Sequence, residues 1–298
     1  VRVVISGASG MIGRALTRRL AADGDEVVRL VRRAPQAPGE VAWDPAAGRL
    51  DPAALAGADA VVNLSGASLS RLPWTPAYRR EILSSRLDAT TTITAALRQA
   101  AAAGPAPATL INASAVGFYG SRPGEVLDET SAPGDGFLAR VVREWEEAAS
   151  AAPDGVRTVL ARTGVVVGPG GAMRPLMLLT RAGLAGPLGS GRQHWPWISL
   201  RDEVGALVHL LRSPVSGPVD LVGPTPATAA ELGRALAERM RRPYRLPAPS
   251  ALIGLLGEAG RELLLADQQV APAVLLRDGY RFADETVGQA VDALLAGA

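Results

Sequence analysis

Three glycines, Gly7, Gly10 and Gly13, stand three residues apart where the apolar run Val3-Val4-Ile5 gives way to a helical pattern. The chemistry such a spacing suits is anion binding. Gly7 allows a tight turn, Gly10 lets the backbone approach a pyrophosphate, and Gly13 lets the helix pack close to the strand. The free N–H groups at the helix start, around Ser9, Met11 and Ile12, then face the phosphates. The spacing is G-x-x-G-x-x-G rather than the commoner G-x-G-x-x-G. Its weight comes from its place, after a buried strand and before an amphipathic helix.

A second strand, Glu26–Val31, runs into Arg32 and Arg33 with no acid beside them. In a dinucleotide fold this strand end lies against the adenosine ribose. An acid there holds the 2′-hydroxyl of NAD, whereas an arginine accommodates the 2′-phosphate of NADP. A guanidinium fork suits phosphate geometry. NADP(H) is therefore favoured over NAD(H), with one arginine holding phosphate and the other solvating the strand end.

Composition removes other chemistries. No cysteine is present, so disulfides, thiol catalysis and cysteine metal sites are excluded. The two histidines, His194 and His209, have no metal-ligand spacing, and no metal is expected. Lysine is absent too: all 31 basic residues are arginine, set against 29 acids. These arginines are scattered in pairs such as Arg18-Arg19 and Arg241-Arg242, which argues against nucleic acid as a partner. No apolar run is long enough to span a membrane, and the first residues read as a core strand. Neither a membrane partner nor a leader is expected, and the cytoplasm is the expected compartment.

These residues need a scaffold that gathers them along one edge. Apolar runs alternating with helical patterns indicate a parallel sheet with crossover helices. The pattern predicts strands over Arg2–Ser6, Glu26–Val31, Val41–Trp43, Ala60–Leu64, Thr109–Ala113 and Thr158–Arg162. It predicts helices over Met11–Ala22, Pro76–Ala102 and Phe137–Ala151. Thr90-Thr91-Thr92 weakens the middle of the second helix, so its persistence requires tertiary packing. After Gly168-Pro169-Gly170-Gly171 the chain turns mostly helical, with a capping box at Thr228 and Glu231. The reading is an α/β protein: a doubly wound parallel sheet over 1–167, then a smaller, mostly helical substrate lobe over 168–298. The helix near 200–212 is expected to pack back on the sheet.

With the glycine turn, four stretches resemble the extended short-chain dehydrogenase/reductase superfamily, a Rossmann-fold group that includes sugar-nucleotide epimerases and dehydratases. Asn63-Leu64-Ser65-Gly66-Ala67 looks like its segment passing close to the cofactor, and Ser114–Gly120 like its catalytic-serine strand end. Arg162–Pro169 and Gly189–Asp202 look like its later cofactor and substrate-lobe segments. More narrowly, Trp43-Asp44-Pro45, Ser85-Arg86, Trp145-Glu146 and Gly186–Gln193 resemble the atypical subfamily called "epimerase family protein". The resemblance implies cofactor contacts at Asn63, Leu64, Ser65, Gly66, Ser114 and Thr163, and a catalytic role for Ser114.

The superfamily's Tyr-x-x-x-Lys pair is missing. The helix that should carry it begins Phe137-Leu138-Ala139-Arg140-Val141-Val142, without tyrosine, and the chain has no lysine. Ser114 is left to polarise a reacting group. Tyr119, in a glycine-flanked loop, is the nearest phenol that can act as an acid, with packing at a loop corner as its rival role. Arg86 reaches a cofactor phosphate or ribose, or else forms a surface ion pair. Trp145 with Glu146 reads as helix packing plus an arginine partner. Trp74, Trp195 and Trp197 lie in loops where they line the substrate cleft or pack, and Arg192 suits a substrate anion or a structural hairpin. The expected function is an NADP-dependent oxidoreductase or epimerase-like enzyme acting on a small molecule. A cofactor-binding sensor or interaction module without catalysis is the alternative.

Overall fold

A seven-stranded, wholly parallel sheet organises the chain; the computed structural model describes residues 1–297. Its strands are β1 (Arg2–Ser6), β2 (Glu26–Val31), β3 (Glu40–Ala42), β4 (Ala60–Asn63), β5 (Thr109–Ala115), β7 (Arg157–Thr163) and β10 (Gly217–Leu221). Two-stranded ladders add β6 (Val126–Leu127) with β11 (Gln269–Val270), and β8 (Val165–Val167) with β9 (Trp197–Ser199). The order across the main sheet is β10-β7-β5-β4-β1-β2-β3. Chain order reverses between β1 and β4, which creates a crevice at the carboxyl ends of those strands.

Val3, Val4, Ile5, Val61, Val62, Leu110 and Ile111 are fully buried, as strands covered on both faces require. Helices α1 (Met11–Ala22) and α5 (Leu200–Arg212) cover one face through Leu16, Leu20, Val204 and Leu207. The long α2 (Pro76–Ala103) covers the other through Ala89, Ile93 and Leu97, with α3 (Phe137–Ser150) packed beside it. Tertiary contacts do hold α2 together at its threonines. Thr90 Oγ accepts from Asn63 Nδ2 at 3.0 Å and from Trp145 Nε1 at 2.9 Å. Thr92 Oγ donates to the Pro45 carbonyl at 3.3 Å.

The remaining helices, α4 (Met173–Arg181), α6 (Ala229–Arg239), α7 (Ser250–Gly254), α8 (Ala273–Arg277) and α9 (Val287–Ala296), follow in the second half. Three of them, α4, α6 and α9, share a separate core with Trp195 and Trp197. β10 was not expected as a strand. Gly217-Pro218-Val219-Asp220-Leu221 contains three residues that strands disfavour, yet Val219, Asp220 and Leu221 are fully buried against β7. The sheet thus draws residues from both sides of position 167.

Candidate dinucleotide site and the polar row beside it

The glycine turn is shaped as its spacing requires. Gly7 has φ +69°, and a Cβ there would lie 2.5 Å from the Leu64 carbonyl oxygen. At Gly13 a Cβ would strike the Gly7 carbonyl and sit 2.7 Å from Ala8 Cα. Gly10 caps α1 without a side-chain hydrogen bond, and the first turn carries no acid. The N–H groups of Met11, Ile12 and Gly13 therefore open the helix free of any competing carboxylate, the arrangement a pyrophosphate needs. Met11 leans its thioether over Gly168 and Gly170, while Ile12 packs on the core. The Ser9 carbonyl accepts from Arg14.

Arg32 and Arg33 part company. Arg33 grips Glu40 on β3 with two bonds of 2.8 Å, which with the Gln36 N–H holds the Glu40 carboxyl down at about 2. Arg32 is exposed and makes no hydrogen bond among the described residues. Sequence spacing hid Glu40 because the acid comes from the neighbouring strand.

Asn63 is fully buried and its amide is spent inside the protein. Its Oδ1 accepts from Ser6 Oγ at 2.6 Å and from the Ser65 N–H at 3.2 Å, and its Nδ2 donates to Asn112 Oδ1 at 2.7 Å. It shapes the loop that sets Leu64, Ser65 and Gly66 above the glycine turn. Arg86 lies under that loop, 3.3 Å from where a Gly66 side chain would begin. It donates to the Ile82 and Ala67 carbonyls and stacks 5.0 Å from the Trp145 ring. Desolvation lowers its pKa to about 10, and among the described residues it has no acidic partner, so the surface ion pair is not formed there.

One row of the sheet carries the polar chemistry. Ser114, Arg162 and Asp220 are register partners across β5, β7 and β10. Ser114 Oγ donates to Glu146 Oε1 at 2.5 Å, and Arg162 forks onto both Glu146 oxygens at 2.8 Å. Arg162 also donates to the Tyr119 hydroxyl at 3.0 Å, and that hydroxyl donates to Asp220 at 2.8 Å. All five side chains are buried. Burial, then the nearby Glu129, pushes Asp220 well above the usual carboxylate range. Burial and the Asp220 carboxyl likewise raise the Tyr119 phenol. Tyr119 is fully enclosed and poorly disposed to release a proton, so the expectation of a loop acid gives way to its rival, packing.

The arginine partner expected for Glu146 is Arg162. Glu146 itself was legible as a carboxylate on the apolar stripe of Leu138, Val142 and Ala149; its bond to Ser114 was not. Where the superfamily pair would stand, α3 presents Phe137, Leu138, Val141 and Val142, all buried. Its start is capped from far along the chain: Glu262 accepts the Phe137 and Leu138 N–H groups at 2.9 and 2.7 Å. Thr163 turns from the cleft to donate to Glu203 at 2.9 Å. Glu203 is fully buried with Oε2 unpartnered, and burial raises its pKa to about 8.

The tryptophans are packing residues. Trp74 sits edge-on to Phe137 at 5.7 Å and donates to the Leu69 carbonyl, and Trp195 is buried in the second core. Trp195 also lines a small cavity with His194, Trp197 and Gln268. Arg192 stays exposed, and its guanidinium has no partner among the described residues. Among the described residues no cluster of potential metal ligands occurs.

Sheet order, glycine turn and open helix start together define a dinucleotide-binding α/β protein of the short-chain dehydrogenase/reductase type. Residues 3–222 match the NAD dependent epimerase/dehydratase family, and the chain belongs to that family. Residues 247–294 match a domain of unknown function, DUF1731. The epimerase family protein Mb2239 of Mycobacterium bovis is 44% identical, over 97% of this chain and 96% of its own. A crystal structure of human epimerase family protein SDR39U1 with NADPH superposes with a TM-score of 0.91, at 34% identity and full coverage of both chains. The Thermus thermophilus UDP-glucose 4-epimerase with NAD, 19% identical with a TM-score of 0.74, shares the fold.

Proposed function

We propose that the chain binds NADP(H) in preference to NAD(H) and acts as an atypical oxidoreductase or epimerase-like enzyme on a small molecule. When bound, the cofactor supplies hydride transfer at its nicotinamide. Gly7, Gly10 and the α1 N–H groups would hold the pyrophosphate, and Arg32 would take the 2′-phosphate while Arg33 stays tied to Glu40. Support for NADP(H) comes from that free arginine and from the NADPH in the human relative's crystal structure.

The observation that carries the chemistry is the 2.5 Å bond from Ser114 to Glu146. With its proton committed to Glu146, Ser114 Oγ keeps its lone pairs for a substrate hydroxyl. A proton leaving that hydroxyl passes to Ser114 Oγ as the serine proton moves to Glu146. Arg162 holds the receiving carboxylate in place from behind. This dyad would do the work of the absent Tyr-x-x-x-Lys pair.

Calorimetric titration tests the first half. NADPH should bind about tenfold or more tighter than NADH, and Arg32→Ala should erase the difference. Equal affinities in the unaltered protein would overturn the preference. A screen of alcohols and carbonyls tests the second half, with Ser114→Ala and Glu146→Gln as controls. Tight NADPH binding without turnover across the screen would favour the sensor or interaction module, a reading supported by the near-complete burial of Ser114.

A further inference from the structure

One end of the C-terminal lobe differs from the rest of the surface. Leu178 and Leu179 are exposed at the end of α4, and the Leu184 N–H returns to the Leu179 carbonyl at 2.9 Å, keeping a third exposed leucine beside them. Residues 183–189 then run alongside 243–249, joined by bridges between Ala185 and Tyr244 and between Leu188 and Ala248. This ladder brings exposed Leu246 into the same region. α7 and the residue after it follow directly and add Leu252 and Leu255, which are 59% and 81% exposed. Six exposed leucines in two cross-linked segments exceed the scattered apolar residues of an ordinary surface.

Charge in these segments has one sign. Residues 173–184 and 240–257 contain Arg174, Arg181, Arg241, Arg242 and Arg245 and no acid. All five arginines are exposed, and none has an ion pair among the described residues. Of the flanking acids, Glu258 pairs with Arg79 at 2.9 Å and Asp292 with Arg239. Glu238, exposed on α6, also stands close to the cluster in sequence.

We propose that this face docks on an anionic lipid bilayer, arginines at the headgroups and leucines at the acyl boundary. The pairing of basic side chains with exposed apolar ones is what an interfacial site needs. A second copy fits poorly, because a two-fold contact would set acid-free arginine clusters against each other. Nucleic acid would neutralise the arginines and leave the leucines in water. Among the described residues no helix is long and apolar enough to cross a membrane, so attachment is peripheral.

The full chain should co-sediment with vesicles of phosphatidylcholine and phosphatidylserine mixed about three to one, and salt should release it. Vesicles of phosphatidylcholine alone should retain far less. Arg241→Glu with Arg242→Glu should weaken binding about twentyfold or more, near fivefold for each arginine lost. Leu252→Ser with Leu255→Ser should weaken it on both vesicle types. NADPH binding reports that each variant stays folded. Failure to sediment with the anionic vesicles would overturn the proposal, as would undiminished binding by the folded double-glutamate variant. Retention on poly-glutamate in place of vesicles would assign the face to an acidic protein and overturn it. A dimer that these substitutions dissolve would do the same.

Discussion

Two helix starts at the ligand edge of the sheet are finished in opposite ways. α1 opens on Gly10 with no side-chain cap and no acid in its first turn. α3 opens on Gly136 with both oxygens of Glu262 seated on its first N–H groups. Each helix end carries the same partial positive charge and the same orphan donors. The difference is who satisfies them. Donors at α1 have no side-chain acceptor among the described residues, while those at α3 are satisfied by a carboxylate 125 residues further along the chain. An uncapped end beside a glycine turn stays open to a ligand; a capped end makes a joint.

Breaking the α3 side at its buried centre should have the largest effect. Glu146→Ala leaves the Arg162 guanidinium buried without its carboxylate, and urea denaturation should show a loss of about 3–5 kcal/mol. A loss under about 1 kcal/mol would mean that Arg162 is solvated in some other way. Next comes the α1 side. Gly13→Val drives side-chain atoms into the Gly7 carbonyl and should cost about 2–3 kcal/mol while removing calorimetric NADPH binding. Full NADPH affinity in that variant would detach the turn from the cofactor. Glu262→Ala should then cost about 1–2 kcal/mol with NADPH affinity unchanged, since it uncaps α3 and leaves α1 alone. A parallel loss of affinity would erase the distinction between the two ends.

A further effect is read as a slope in pH rather than a single loss, at the third helix start on this edge. Glu203, in the first turn of α5, keeps its proton in the folded protein up to about 8, whereas the unfolded chain releases it at the ordinary 4.5. Between these values the native state binds more protons, so this group's contribution is complete below the lower value. It is lost as pH rises through the upper one. Thermal melts of Glu203→Gln should gain on the unaltered protein steadily across that window. Parallel pH profiles would mean that Glu203 is not desolvated in the folded state.

What the sequence made legible follows distance along the chain. The glycine turn could be read because strand, turn and helix are contiguous and each glycine has a local steric reason. Helices α1, α2 and α3 were legible from their apolar stripes, and the weak Thr90-Thr91-Thr92 stretch of α2 was read as needing tertiary packing, which Thr90 and Thr92 make. Ser114, Arg162 and Asp220 lie 48 and 58 positions apart, and only strand register aligns them. Glu40 beside Arg33 and Glu262 on α3 were hidden for the same reason: each is a contact between elements. Tyr119 and Trp74 were left open between the cleft and packing, and both are buried. The segments that decide between the two roles are distant in the chain: Val222 and Val270 close over Tyr119, and Phe137 and Ala259 over Trp74.

The cap on α3 also bears on how such proteins can be recombined. A segment that supplies one helix with its first hydrogen-bond acceptor is not an interchangeable cassette. Any chimera that grafts a different carboxyl-terminal piece onto this sheet must bring an acid to the position of Glu262, or redesign the opening of α3 to cap itself.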